Sequence, residues 1–361
     1  MSNVNVLVTG GAGYVGSHVI VELLGAGCDV VVADNFHNSR PGQDGDMPES
    51  LRRVQRITGR EVTFHRVDLL DEDAVDAVFS QHRFDCVIHA AGYKSVGESW
   101  KAPLEYYSNN IGGAIRLVEA MKRHGVRRLI FSSSSTVYGT PEYLPVDEKH
   151  PTGRNCTNPY GRTKFMVEEM LRDIGSTEKD WSIVLLRYFN PAGAHSSGEI
   201  GEDPQGTPKN LVPLVAQVAI GRRERLHIHG NDYDTPDGTC VRDYVHVVDL
   251  AKGHVTVVNK IMTGSLTGIK TYNMNGGTGG ASVLEVIAAF QEASGVRVPY
   301  DVLERRPGDV AKMVASSKLA RDELGWKADK SLLRMCEDVW RWQKKNPTGY
   351  ARTGSQNSTR S

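Results

Sequence analysis

The chain has 361 residues, long enough for a large apolar core and for two lobes. Lysine plus arginine equal aspartate plus glutamate at 43 each, which implies no nucleic-acid surface and no acidic tail; an anionic ligand would have to be met by a few placed arginines. Five widely separated cysteines (Cys28, Cys86, Cys156, Cys240, Cys336) without a CxxC argue against a disulfide framework and a metal site, and no window approaches 18 apolar residues, so a cytosolic protein without a membrane partner is expected.

Residues 4–9 (VNVLVT) form a short apolar, β-branched run and predict a buried parallel strand. Gly10-Gly11-Ala12-Gly13-Tyr14-Val15-Gly16 follows at once and opens a predicted helix over 17–26, which Gly27 stops. A second strand over 29–33 ends at Asp34. Strand, glycine turn, helix, strand and an acidic residue about 20 positions on are the context of a dinucleotide fingerprint. The glycines let the backbone approach a pyrophosphate at the helix N-terminus, where unpaired N–H groups and the helix dipole favour negative charge. Asp34 is placed to accept hydrogen bonds from ribose hydroxyls and to repel a 2′-phosphate, which points to NAD rather than NADP. The expected fold is α/β, a Rossmann-type doubly wound parallel sheet.

Residues 35–59 are polar and rich in Gly and Pro before they become helical, and read as an insertion near the adenosine side to which no chemistry is assigned. A strand over 62–67 is closed by Asp68-Leu69, the aspartate placed to contact adenine, and a helix runs through Val78. The strand over 86–91 ends in His89-Ala90-Ala91-Gly92-Tyr93-Lys94, whose small residues let the backbone come close to a cofactor. Lys94 is either a surface cation or a group near the nicotinamide ribose and pyrophosphate, the second being favoured. Asn109 and Asn110 begin a helix to Gly125, and the strand over 128–131 runs into Ser132-Ser133-Ser134-Ser135-Thr136. In a doubly wound sheet ligands sit beyond the carboxyl ends of strands, so Ser134 and Thr136 are placed to hydrogen-bond a sugar hydroxyl. No Asp-Glu pair follows, so no carboxylic acid is at hand to expel a neighbouring hydroxyl as water.

Tyr160-Gly161-Arg162-Thr163-Lys164 carries the expected chemistry. On a helix, Tyr160 and Lys164 share a face, and an ammonium beside a phenol would lower a pKa that is ordinarily about 10, making the tyrosine a usable base. Beyond Asn190 the parallel pattern gives way to turns and short elements, with a helix over 211–220 and a strand over 226–229. Strands near 184–188 and 271–273 are expected to return to the main sheet, and Trp326, Trp340 and Trp342 to be core.

TGGAGYVG, Asp34, the Ser-Ser-Thr cluster and YGRTK together resemble the extended short-chain dehydrogenase/reductase superfamily. Asp34-Asn35-Phe36-His37-Asn38, Val96-Gly97-Glu98-Ser99, Asn158-Pro159-Tyr160-Gly161, Arg187-Tyr188-Phe189-Asn190-Pro191, Gly230-Asn231-Asp232-Tyr233, residues 238–249 and Arg305-Arg306-Pro307-Gly308-Asp309 narrow the resemblance to the UDP-glucose 4-epimerase family, over about residues 4–347. The resemblance implies a catalytic set of Tyr160, Lys164 and Ser134. It implies NAD held by Gly10, Gly13, Tyr14, Val15, Gly16, Asp34, Asn35, Phe36, His37, Asn38, Asp68, Leu69, Ala90, Lys94, Tyr160, Lys164 and Tyr188. UDP-glucose or UDP-galactose would meet Ser134, Ser135, Thr136, Tyr188, Phe189, Asn190, Lys209, Asn210, Leu211, His227, Ile228, His229, Arg242, Arg306, Asp309 and Met313. Arg242 and Arg306 are its diphosphate cations, whose planar forks suit phosphate oxygens. Lys209 and His229 depart from the family's usual asparagine and phenylalanine. Met313 stands where residue size decides whether N-acetylated sugars can turn. The implied reaction removes hydride and proton at the sugar's C4, lets the 4-ketose rotate about its anchored UDP, and returns hydride to the other face.

The implied organisation is an NAD domain over 1–190 with strands returning from about 240–277, a sequence-interleaved UDP-sugar lobe over 191–348, a disordered tail over 349–361, and a homodimer through helices near 105–124 and 160–174. The alternatives are a related nucleotide-sugar dehydratase, decarboxylase or reductase, opposed by the missing Asp-Glu pair and by Asp34, and a catalytically idle NAD-binding sensor, opposed by the intact Ser134, Tyr160 and Lys164.

Overall fold

A computed structural model describes residues 4–42, 46–306 and 308–350. Six strands in chain order, β1 (Asn5–Thr9), β2 (Asp29–Asp34), β3 (Thr63–Arg66), β4 (Cys86–His89), β5 (Arg128–Ser134) and β6 (Ser182–Tyr188), lie parallel. Between them run α1 (Tyr14–Gly25), α2 (Glu49–Thr58), α3 (Glu72–Gln81), α4 (Val96–Lys101), α5 (Pro103–Tyr107), α6 (Gly113–Arg123) and α7 (Pro159–Thr177). Two further β-elements follow, β7 (Asn190–Ala192) and β8 (Leu226–His229), flanking α8 (Leu211–Ala219). Then come β9 (Val241–Arg242), β10 (Tyr244–His246), α9 (Val247–Met262) and β11 (Gly268–Met274). The remainder is β12 (Ala281–Ser282), α10 (Val283–Ser294), β13 (Tyr300–Leu303), β14 (Lys312–Met313) and α11 (Leu332–Lys345).

The main sheet has the order β11-β6-β5-β4-β1-β2-β3, with β11 parallel to β6 from Gly268 opposite Ser182 to Met274 opposite Tyr188. The chain reverses direction across the sheet on either side of β1, which opens a crevice beyond the carboxyl ends of β1 and β4, the place where such folds bind ligands. Strand cores of Val6, Val8, Val32, Ile88, Ile130 and Leu186 bury completely, as a sheet covered by helices on both faces requires. The second lobe gathers β8 with β13, β9 with β12 and β14, and α8, α10 and α11 around Val215, Phe290, Cys336 and Trp340.

Three expectations change. The strand over 128–131 continues to Ser134, because Ser132 to Ser134 keep pairing with Leu186 to Tyr188. The stretch at 35–59 is no mere insertion: α2 packs on α1, Leu51 and Val54 are fully buried, and Ser50 Oγ donates to Ala12 O. Gly349 and Tyr350, expected to open a disordered tail, are packed instead; the rest of that expectation, residues 351–361, lies outside the described residues. Trp326, Trp340 and Trp342 are core, as their amphipathic segments predict.

Candidate active site

The first wall of the crevice is the turn between β1 and α1. Gly10 has φ +70°, and a Cβ there would come 2.6 Å from the Ala91 backbone. A Cβ on Gly16 would stand 2.4 Å from Gly10 O, so the glycines pack turn, helix and β4 loop together. No side chain caps α1, which leaves its first-turn N–H groups facing the pocket. Asp34 accepts from Phe36 N at 2.9 Å, Ser39 Oγ at 3.1 Å and Ala12 N at 3.1 Å, while burial pushes its carboxyl up and those bonds oppose the rise. Asp68 Oδ2 accepts from Asn35 Nδ2 at 3.0 Å. An uncapped helix start, a backbone cradle and a rim of Asp34 and Asp68 fit a dinucleotide with a pyrophosphate and two ribose diols.

Of the residues expected around NAD, Gly10, Gly13, Tyr14, Val15, Gly16, Asp34, Asn35, His37, Asn38, Asp68, Leu69, Ala90 and Lys94 line this pocket. Phe36 does not. Its φ of +65° turns the ring inward, against Phe64 at 5.4 Å and under the Arg66 guanidinium, so only its backbone serves the loop. Lys94 lies at the mouth, its Nζ 2.8 Å from Glu202. Unanticipated lining residues are Arg40, Tyr93, Glu202, Asp203 and Tyr350.

Tyr160 and Lys164 stand one turn apart at the start of α7, whose N-terminus is fixed by Pro159 and by Asn158 Oδ1 accepting from Gly161 N at 2.8 Å. Behind them Asn110 is locked in a π-helical turn (Ser108–Gly112), donating to Thr163 Oγ1 and Tyr93 O and accepting from Tyr93 N. Lys164 Nζ donates to Ser132 O at 2.8 Å and sits 4.8 Å from the Phe131 ring centre. It lies behind Gly92, a residue of the pocket wall, where a Cβ would be 3.6 Å from the ammonium. Burial lowers the Lys164 pKa to about 8, with Glu168 opposing, and raises the Tyr160 phenol, with Ser134 opposing. The expected lowering of Tyr160 by Lys164 is therefore absent in the protein alone: desolvation raises the phenol, and the Ser134 hydrogen bond opposes it. Ser134 caps the short turn Ser135–Tyr138, and its Oγ accepts from Thr136 N and Oγ1 at 3.2 and 3.0 Å. Tyr188 OH donates to His254 Nε2 at 2.5 Å, because His254 Nδ1 is engaged with Leu250 O, and accepts from Ser132 Oγ at 2.6 Å.

On the second-lobe side, Arg242 and Arg306, 64 positions apart, converge on Asp309 at 3.6 and 3.0 Å. Asn190 Nδ2 donates to Asp243 O, Asn210 Nδ2 to Glu202, and Lys209 pairs with Glu98 in the open. Leu211 opens α8; His227 is exposed and His229 Nδ1 lies 3.2 Å from Glu304 O. Ile228 points into the lobe's core, so its side chain is removed from any ligand role. Phe189 and Met313 belong to a small buried cluster with Val137, Tyr138 and Val146, beyond the hydroxyl run.

A parallel sheet with a glycine cradle beneath a Ser-Tyr-Lys constellation defines an enzyme of the extended short-chain dehydrogenase/reductase class. A family model described as GDP-mannose 4,6 dehydratase matches residues 7–339. The UDP-glucose 4-epimerases of Homo sapiens and Bacillus subtilis are 59% and 54% identical to the chain, each over 96% of it and 98% of the relative. Among solved structures, a UDP-glucose 4-epimerase from Bifidobacterium longum in complex with NAD+ and UDP superposes with a TM-score of 0.91 at 50% identity, covering 96% of this chain and 99% of that one. One from Stenotrophomonas maltophila, with bound NAD and formylated UDP-arabinopyranose, gives 0.89 at 46% identity over 95% and 99%. The chain belongs to the UDP-glucose 4-epimerase family, within the broader family of that model.

Proposed function

We propose that the chain interconverts UDP-galactose and UDP-glucose as an NAD-dependent isomerase. What carries the reading is the Ser134, Tyr160 and Lys164 constellation beside the dinucleotide cradle, in a chain 59% identical to curated epimerases along almost its whole length. NAD in the cradle supplies a reversible hydride acceptor for the sugar's C4. Tyr160 would take the O4 proton directly or through Ser134 and later return it, the phenolate being favoured only once bound cofactor adds its positive charge to that of Lys164. Arg242 and Arg306 exchange Asp309 for the diphosphate of UDP, a bidentate partner of greater charge. UDP stays held by these arginines while the more loosely held hexose turns as the 4-ketose. Ser135 and Thr136, not an Asp-Glu pair, follow the Ser134 hydroxyl, which speaks against water elimination.

The test is conversion of UDP-galactose by purified protein with no NAD added, followed by NMR of the sugar. Conversion supports both the isomerase and a retained cofactor; conversion only after NAD is supplied removes the retention. No conversion with NAD present sinks the reading.

The proposed assembly is a homodimer through α4 to α7. Trp100, Leu104, Ile115 and Met166 are large apolar side chains exposed on these helices, with Leu104 at 82% exposure, and α5 packs on α7. Leu104→Arg is expected to turn a dimer into a monomer by sedimentation; a monomeric parent would end the idea. Five buried cysteines, an odd number spread through the fold, suit the cytosol, and no helix among the described residues is long and apolar enough to cross a membrane.

A further inference from the structure

The cofactor crevice has a roof that none of the glycine or hydroxyl motifs supplies. Residues 201–205 leave the buried Ile200 and cross the mouth of the pocket, so that Gly201, Glu202, Asp203 and Pro204 face the cradle of Gly10 to Gly16. Both banks hold this strap. On the β4 side Lys94 Nζ pairs with Glu202 at 2.8 Å. On the β2 side Arg40 pairs with Asp203 at 3.4 Å, Gln205 Nε2 donates to Phe36 O and Ser39 O at 3.0 and 2.9 Å, and Gln205 N donates to Asn38 Oδ1 at 3.1 Å. The residues gripped on that bank belong to the same loop that holds the Asp34 carboxylate.

The strap is pinned from behind by the end of the described chain. Tyr350 N donates to Asp203 at 2.8 Å, and the Tyr350 hydroxyl exchanges hydrogen bonds with Gly201 N and O at 3.3 and 3.2 Å. Gly349 lets the chain come this close: its φ is +78°, and a Cβ there would overlap the Asp203 carboxylate. The Tyr350 ring lies 4.9 Å below the Arg53 guanidinium and 4.8 Å from Trp342, and Arg53 is itself held by Asn346 and Glu199 O. The latch therefore joins α2, α11 and the strap.

Building on the proposed NAD-dependent function, we infer that Tyr350 is a positioning residue that latches the 201–205 strap over the dinucleotide and sets how long NAD stays bound. A dinucleotide cannot pass between the banks while the strap spans them. Release requires the Lys94–Glu202 and Arg40–Asp203 pairs, the Gln205 bonds and the Tyr350 bonds to part together. The two ion pairs are partly exposed and contribute little each, so the neutral bonds of Gln205 and Tyr350 decide the lifetime of the closed form.

The experiment loads the full-length protein with NAD, removes free cofactor, and follows NAD release by rapid gel filtration, with UDP affinity measured on the same samples by calorimetry. Tyr350→Ala is expected to release NAD about tenfold faster and to leave UDP affinity unmoved, the size that loss of one or two neutral hydrogen bonds implies. Tyr350→Phe keeps the ring under Arg53 and falls between. Gln205→Ala acts at the opposite end of the strap and gives the same direction should Tyr350→Ala fold poorly. Release at the parent's rate in both Tyr350→Ala and Gln205→Ala overturns the latch while the NAD-dependent reading stands. A parent that retains no NAD even after loading overturns the cofactor reading itself.

Discussion

Tyr160→Phe is expected to lower kcat about a thousandfold, the middle of the range for removing a positioned acid–base group and equivalent to about 4 kcal/mol of transition-state stabilisation. UDP affinity, measured by calorimetry, should not change, because the diphosphate candidates Arg242 and Arg306 lie in the other lobe. NAD retention should survive too, since the phenol is not among the groups lining the cradle. The folded protein alone keeps this phenol protonated, because burial raises its pKa. Turnover in the variant equal to the parent would remove Tyr160 from the role of base.

Arg187→Met is expected to cost about 3–5 kcal/mol of folding stability, the penalty for breaking a buried ion pair by removing one partner. Arg187 and Glu168 are 2% and 0% exposed, joined at 2.6 Å, with Ser133 Oγ donating to the same carboxylate at 2.5 Å. Burial alone would raise the Glu168 pKa, but the Arg187 hydrogen bonds and charge outweigh it and hold it below its ordinary 4.5. A lowered carboxyl contributes stability that is present above the unfolded value and disappears as pH falls through the folded one. In the variant the remaining burial raises Glu168, reversing that sign, so the gap between parent and variant widens from pH 4 to pH 7. Denaturant unfolding across that window checks it; a deficit under about 1 kcal/mol, or one independent of pH, would contradict the assignment. Replacing Glu168 by Leu in the same background should restore much of the loss, because no buried charge is then left unpaired.

The cofactor half was legible because its signals are local and mutually consistent. β1, the glycine turn, α1 and Asp34 fall within 30 residues, and each glycine has a steric reason visible in the pattern. The same holds for Tyr160 and Lys164, whose spacing is a property of one helix. What escaped is contact between distant segments. That Lys164 would spend its hydrogen bond on Ser132 O, that Phe36 would turn inward, and that Ile228 would face the core depend on packing partners from other elements. Tyr350 meets Gly201 across 149 positions, and its only trace in the sequence was one aromatic residue at the head of a polar run. Gly-Glu-Asp-Pro at 201–204 reads as a surface turn for the same reason, its partners lying in three other segments.

The strand order carries one more consequence. β11 enters beside β6 only after the chain has built much of the other lobe, and α9, which covers α1 with Leu250, Val257, Val258 and Ile261, comes from the same late stretch. A chain severed after Asn190 would carry the complete glycine cradle yet leave β6 as a bare edge of Ile183, Leu185 and Leu186, a template for pairing with other chains. Its two halves are thus not interchangeable cassettes. Recombination with a relative can graft loops and the strap, but a clean crossover would have to exchange the front of the chain and residues 247–274 together.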